Sequence, residues 1–220
     1  MPRERVCPPV HWHGVILAGG RALRFGRDKV LARVGGRRLI DMACASLVTA
    51  DGVSVLLGTP ERTQVVAPLL PAGAVAFADD DPGHGPMGGL ASALARHPER
   101  WVAVLAADLP LVPAAWWPWL AGQHVAGAAA VVPRDARGRW EPLAALYHGS
   151  LAGELTALMA RRERARLALH PFLDELVMAG RVVVADPSAM PANALLNVNR
   201  PDDADAVGRA LRRGEDPTER

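Results

Sequence analysis

The stretch Gly14-Val-Ile-Leu-Ala-Gly-Gly-Arg-Ala-Leu-Arg-Phe-Gly-Arg-Asp-Lys29 decides the fold. Gly14 to Ala18 is a short continuous apolar run, the pattern of a strand buried on both faces, and it ends in glycine. Residues 19 to 29 cannot hold a helix throughout, because Gly19, Gly20 and Gly26 favour turns and unusual backbone angles. Helical spacing then runs from Leu39 to Val48, with Leu39, Ile40, Ala43, Leu47 and Val48 on one side and Asp51-Gly52 as the stop. The order is strand, loop, helix.

The same alternation recurs downstream. Strands are predicted over Val53–Leu57, Ala74–Ala78 and Trp101–Ala107, and helices over Glu61–Leu70, Met87–Arg96 and Ala114–Ala121. Alternating strands and helices predict an α/β fold with a parallel sheet covered on both faces. Ala128–Val132 and Pro142–Tyr147 flank the polar turn Asp135-Ala-Arg-Gly138 and read as a hairpin or neighbouring strands. The pattern predicts an arginine-rich helix near Leu155–Leu169, a strand over Arg181–Ala185 and a last helix from Pro201 to Arg213. No internal repeat or linker marks a second domain. The expectation is one domain over residues 1–220, with 1–13 as an N-terminal extension and 214–220 as a frayed tail.

Composition narrows the function. With 220 residues, half of them hydrophobic and 22% charged, the chain is expected to bury about 70% of its unfolded surface. The 25 basic and 23 acidic residues nearly cancel, which leaves no basic field for nucleic acid. Two cysteines, Cys7 and Cys44, without paired spacing exclude a disulfide framework or zinc ribbon and point to a reducing cytosol. No apolar run reaches the roughly 18 residues of a membrane span, and Pro8-Pro9 interrupts any signal-peptide core. Of the 25 basic residues 24 are arginine, and Lys29 is the only lysine. A genome that trades lysine for arginine would leave such a survivor by chance. An ammonium is also a compact point charge suited to a phosphate approached from several directions.

Three unusual loops fall at strand ends, where ligands gather in open parallel sheets. The first, residues 17 to 29, offers backbone N–H groups freed by glycine together with Arg24 and Lys29, a combination suited to a polyphosphate. It is neither the GxxxxGK[ST] of a P-loop nor a GxGxxG dinucleotide site. The second, Asp79-Asp-Asp-Pro-Gly-His-Gly-Pro-Met-Gly-Gly89, is acidic and rigid; a carboxylate there can accept from a base or ribose, while Asp80 and Asp81 read as a solvated turn. The third places Asp108 directly after an apolar strand, where an unpaired carboxylate is costly. A divalent cation bridging to phosphate is one partner for it, and a helix cap is the other account. Near the C-terminus, Asn199 in Asn197-Val-Asn199-Arg-Pro either caps the last helix or orients metal or phosphate. The seven histidines show no zinc spacing, no GxSxG elbow occurs, and Trp116, Trp117 and Trp119 read as core or an exposed apolar patch.

The ordered set LAGG at 17–20, RFG at 24–26, DK at 28–29, DxxPGxGPMGG at 79–89, ADLP at 107–110, EPLAALY at 141–147 and NVNRPDD at 197–203 resembles that of the molybdenum cofactor guanylyltransferases, members of the MobA-like nucleotidyltransferase family. The resemblance implies a Rossmann-like three-layer sandwich with a mostly parallel sheet, GTP and Mg2+ as ligands, molybdopterin or molybdenum-molybdopterin as acceptor, and molybdopterin guanine dinucleotide as product. By position, Leu17, Gly19, Gly20 and Asp79 would address the guanosine, with Ala18 in the same nucleotide-binding run. Arg24 and Lys29 would address the triphosphate and Asp108 the metal, and Asn197 and Asn199 would line the site. The acceptor phosphate would attack the α-phosphorus, with Lys29, Arg24 and Asp108 as the catalytic set.

The expected chain is a cytoplasmic monomer that hands product toward a molybdenum insertase and molybdoenzymes, with no nucleic-acid or membrane partner. Phe25 and Arg200 depart from the commoner methionine and threonine. Glu141 stands where an amide or imidazole is expected and would repel a pterin phosphate. The stretch Arg161, Arg162, Arg164, Arg166 reads equally as a phosphate attractor or a solvated helix face. The alternatives are a related GTP- or CTP-dependent transferase acting on another phosphorylated small molecule, and a non-catalytic nucleotide-binding cofactor carrier.

Overall fold

Apolar residues at both odd and even positions leave the first strand no face for water, and β1 (Trp12–Leu17) runs through the middle of a sheet with Val15 and Ile16 fully buried. The structure, a computed structural model, describes residues 10–19, 28–135, 137–161 and 168–212. β1 pairs in parallel with β4 (Val53–Leu56) on one side and β6 (Trp101–Ala106) on the other. β5 (Ala74–Phe77) extends the sheet beyond β4, also in parallel. Beyond β6 lie β8 (Ala144–His148), antiparallel to it, then β7 (Ala130–Pro133), antiparallel to β8, then β9 (Val182–Ala185), parallel to β7. The order is β5-β4-β1-β6-β8-β7-β9, and only β8 runs against the rest.

This order locates a crevice. The chain moves outward from β1 to β4 and β5, then crosses back to lay β6 on the opposite flank of β1. Where the direction of winding reverses, the loops leaving neighbouring strands part, and a ligand cleft opens beyond the strands' carboxyl ends.

Alternate residues of each strand supply opposite cores, as a two-residue period requires. Ile16, Leu105 and Leu146 pack with Ile40 and Leu47, at and just beyond α1 (Leu39–Ser46), with Val66 of α2 (Pro60–Val66), and with Trp116, Trp117 and Leu120 of α4 (Trp116–Gly122). Val15, Val104 and Tyr147 pack with Leu90 and Leu94 of α3 (Gly85–Ala95), Leu155 of α5 (Ala152–Arg161) and Leu173 of α6 (Leu169–Met178). Helices on both faces make the three layers expected. Trp116 and Trp117 are core residues whose indole N–H groups donate to Ala144 O at 2.9 Å and Ser46 Oγ at 3.1 Å. Gly89 lets α3 sit close against the sheet, because a Cβ there would meet Leu56 at 3.3 Å and Leu17 at 3.5 Å.

A third, smaller core holds the C-terminal segment in place. Val207 and Ala210 of α7 (Pro201–Arg212) pack with Val198, Leu39, Met42, Leu111 and Val34. Val34 belongs to a short hairpin of β2 (Arg33–Val34) and β3 (Arg37–Arg38) that the sequence pattern did not predict, since two-residue strands leave no periodicity to read.

Other elements also differ from expectation. β1 begins at Trp12, with His13 inside it opposite Val102, so the presumed extension 1–13 overlaps the central strand. Of the helix expected over 155–169, residues 155–161 belong to α5 (Ala152–Arg161), 162–167 lie outside the described residues, and Ala168 is extended ahead of a separate α6. Leu169, Phe172, Leu173 and Leu176 are buried at helical spacing, a signal overlooked beside the arginines. Arg162, Arg164, Arg166 and the tail 214–220 lie outside the described residues, and Arg161 is exposed. Among the described residues no helix is long and apolar enough to cross a membrane.

Candidate active site

Asp108 lies two residues past β6, and Lys29, on the segment that follows β1, meets it there. Asp28, the cap of a 3₁₀ turn at Lys29–Leu31, accepts from the Val30 N–H at 3.1 Å and fixes the chain direction at Lys29. The Lys29 ammonium donates to Asp108 Oδ2 at 2.9 Å and to Asn199 Oδ1 at 3.0 Å. The three residues stand 79 and 170 positions apart in sequence and come from three different segments. Lys29 and Asp108 are only 16% and 24% exposed, so this pair is screened less than a surface ion pair.

Asp108 does not cap a helix. α4 begins eight residues later and has no side-chain cap, which removes the capping account of this carboxylate. The Asp108 carbonyl accepts from the Val198 N–H at 2.9 Å, a bond that draws the Asn197-Val-Asn199 segment to the end of β6. Val198 is anchored in the third core, and Asn197 and Asn199 flank it. Asn197 Oδ1 is buried with no hydrogen-bond partner among the described residues. The Asn199 and Arg200 N–H groups donate to Asp203 Oδ2 at 2.8 and 2.7 Å, so Asp203 serves the start of α7 and leaves the Asn199 side chain free to meet Lys29.

The acidic loop divides its labour. Asp80, read as solvated, accepts a two-point bond from Arg96, whose guanidinium lies 4.3 Å from the centre of the Phe77 ring. Asp81 lies 3.1 Å from His84. Asp79 has no such partner among the described residues: its Oδ1 is buried and unpaired, and its Oδ2 lies 3.7 Å from where a Cβ on Gly19 would be. Burial and the neighbouring Asp80 raise the Asp79 carboxyl from 3.8 to about 6, against the pull of Arg96 and Arg62. Gly58, with φ of +87°, lets the end of β4 approach Gly19 so closely that a side chain on it would lie 3.3 Å from the Gly19 Cα. Ala18 is fixed in turn by its N–H bond to Leu56 O, and Leu17 O accepts from Ala107 N.

Glu141 lies on the same edge, because β8 is reversed and the chain enters it from the side where β6 ends. Burial pushes its carboxyl up, with Arg139 opposing. Gly20, Arg24, Phe25 and Gly26 lie outside the described residues. Arg62 was not foreseen; its guanidinium joins Asp28, Ala18 and Leu57, and no local motif marks it.

The groups that accept from Lys29 are a carboxylate and an amide oxygen, hard ligands that suit Mg2+. Among the described residues no cluster of three or more His, Cys, Asp or Glu side chains forms a metal cage. One carboxylate completed by phosphate oxygens and water is the usual Mg2+ arrangement at a nucleotide.

Known proteins resemble this chain in sequence and in fold. A curated relative, the probable molybdenum cofactor guanylyltransferase of Deinococcus radiodurans, is 34% identical over 199 residues, covering 88% of this chain and 93% of that protein. The one from Haloferax mediterranei is 35% identical over 199 residues, covering 88% and 91%. The crystal structure of molybdopterin-guanine dinucleotide biosynthesis protein A from Archaeoglobus fulgidus superposes with a TM-score of 0.71 at 23% identity, covering 91% of this chain and 99% of that one. Residues 14–176 match the MobA-like NTP transferase domain, and the chain belongs to that family.

Proposed function

We propose that the protein transfers GMP from GTP to the terminal phosphate of molybdopterin or molybdenum-molybdopterin, giving the guanine dinucleotide cofactor and pyrophosphate. The observation that carries this reading is the meeting of Lys29, Asp108 and Asn199 within 2.9 and 3.0 Å at the switch-point crevice. Family membership and the named relatives support it.

In this reading an acceptor phosphate oxygen attacks the α-phosphorus in line, the bond to the bridging oxygen of the β-phosphate breaks, and pyrophosphate leaves with that electron pair. Lys29, joined by Arg24 on the family resemblance, offsets charge on the leaving pyrophosphate. Leu17, Ala18 and Gly19, joined by Gly20 on the family resemblance, bring backbone groups to the nucleoside, and Asp79 accepts from the guanine edge, which carries N–H donors and suits its unpaired oxygen. Asp108 would hold Mg2+ with Asn199 and Asn197 beside it, and the bound ion would polarise the phosphate oxygens. Glu141 lines the acceptor side, where burial raises its carboxyl and Arg139 opposes the shift. A reducing cytosol supplies both substrates.

The test is pyrophosphate release from each nucleoside triphosphate with and without molybdopterin. GTP with molybdopterin is expected to give the signal, and Lys29→Ala or Asp108→Ala to lower it by orders of magnitude while far-UV circular dichroism is unchanged. Near-normal turnover in either variant refutes the assignment.

A further inference from the structure

We infer that Arg62 is a positioning residue of this reaction: one guanidinium fixes both flanks of the glycine-rich stretch and, through Asp28, sets where Lys29 stands. The inference rests on the reading that Lys29 binds the triphosphate.

The geometry is that of a built clamp. α2 starts at Pro60 with the Thr59 hydroxyl accepting from the Arg62 N–H at 3.3 Å, which places Arg62 in the first helical turn just past the end of β4. Its Nε and Nη2 donate to the two oxygens of Asp28 at 2.5 and 2.6 Å. Its Nη1 donates to Leu57 O at 2.8 Å and to Ala18 O. Exposed arginine pairs contribute little, but this one is forked, 21% exposed, and also satisfies two backbone carbonyls. Burial pushes the Asp28 carboxyl up, and the Arg62 fork with the Val30 N–H more than offsets this, leaving it below the usual carboxylate range.

Each contact hands on to the next. Ala18 precedes residues 19–27 and Asp28 follows them, so a single side chain holds the separation of the two flanks. Asp28 in turn receives the Val30 N–H and starts the 3₁₀ turn whose first residue is Lys29. The far end of that chain of contacts is the ammonium on Asp108 and Asn199. A lysine at position 62 has the charge but not the planar fork, and cannot bridge a carboxylate and two carbonyls together.

The experiment is a double-mutant cycle. Arg62→Gln and Arg62→Lys are measured alone and in a Lys29→Ala background, reading kcat/KM for GTP by pyrophosphate release and Tm by thermal unfolding. Either substitution alone is expected to lower kcat/KM by about 10- to 100-fold, and by less than about threefold once Lys29 is gone. Equal losses in both backgrounds, or no loss in the first, overturn the inference, because a merely structural role does not depend on Lys29. If Arg62→Gln does not fold, Asp28→Asn, which leaves the contacts of Arg62 with Ala18 and Leu57, carries the same expectation, and the same two results overturn it. A Lys29→Ala protein as active as the parent refutes the triphosphate reading itself, whereas an impaired Lys29→Ala with undiminished Arg62 effects refutes only the positioning role.

Discussion

Replacing Asp79 by Asn should make the protein more stable and a poorer GTP binder. The Asp79 carboxyl sits half-buried with Oδ1 unpaired, and burial together with Asp80 raises it from 3.8 to about 6. A raised carboxylate costs nothing at pH well below 3.8, where it is protonated in both folded and unfolded chains. The cost grows as pH climbs toward 6 and is constant above it. Unscreened, the shift corresponds to about 3 kcal/mol at pH 8; the partial access of water reduces this to about 1–2 kcal/mol. In a chain of this length that is roughly 4 °C in Tm. Scanning calorimetry of the two proteins from pH 4 to pH 8 is the assay, with the Asn variant expected to pull ahead between pH 4 and 6 and stay ahead. GTP affinity, followed by titration calorimetry, should rise in the parent protein as pH passes through about 6, because guanine donors need the ionised carboxylate, and should lose that dependence in the variant. A variant with equal or lower Tm at pH 8 refutes the reasoning.

The remaining expectations concern other parts of the molecule. His13, stacked 4.2 Å from His97 and 2.9 Å from Ser54 Oγ, is lowered to about 4 by burial, with His97 and Arg100 adding to this, so the stability it contributes is complete above pH 6.5 and lost as pH falls toward 4; the urea midpoint of His13→Gln relative to the parent should show that limb missing. Gly149→Ala would drive a Cβ to 1.9 Å from the His97 carbonyl oxygen, backbone against backbone, and should cost about 3 kcal/mol or more by denaturant unfolding. Trp117→Phe strands the buried Ser46 hydroxyl and should cost about 1–3 kcal/mol in the same measurement. Removing the ammonium frees Asp108 Oδ2 and Asn199 Oδ1, so Lys29→Ala should bind Mn2+ without nucleotide more tightly than the parent, as read by electron paramagnetic resonance, while binding GTP more weakly.

Much of this architecture follows from local sequence, because strand and helix patterns are periodic over short distances. The apolar run before Gly19 and the run at 101–106 are strands because both of their faces must be covered, and the alternation with helices fixes parallel pairing. Lys29 and Asp108 stood out as a lone ammonium and a carboxylate at strand ends. Elements with too short a period to read were missed, as with the β2–β3 hairpin, and α6 was missed where charged neighbours masked a clear apolar stripe.

Tertiary structure decided the rest. Only the sheet order places the end of β1 beside the end of β6 and so turns two separate loops into one site. Only the docking of α7 and Val198 brings Asn199 across 170 residues to the same ammonium. Arg62 carries no motif, since its role depends on where three other segments end, and a side chain's partners across space are set by packing that no short stretch of sequence contains. The same holds for Asp79, distinguished from Asp80 and Asp81 only once Arg96 and His84 have taken their partners and left its oxygen alone.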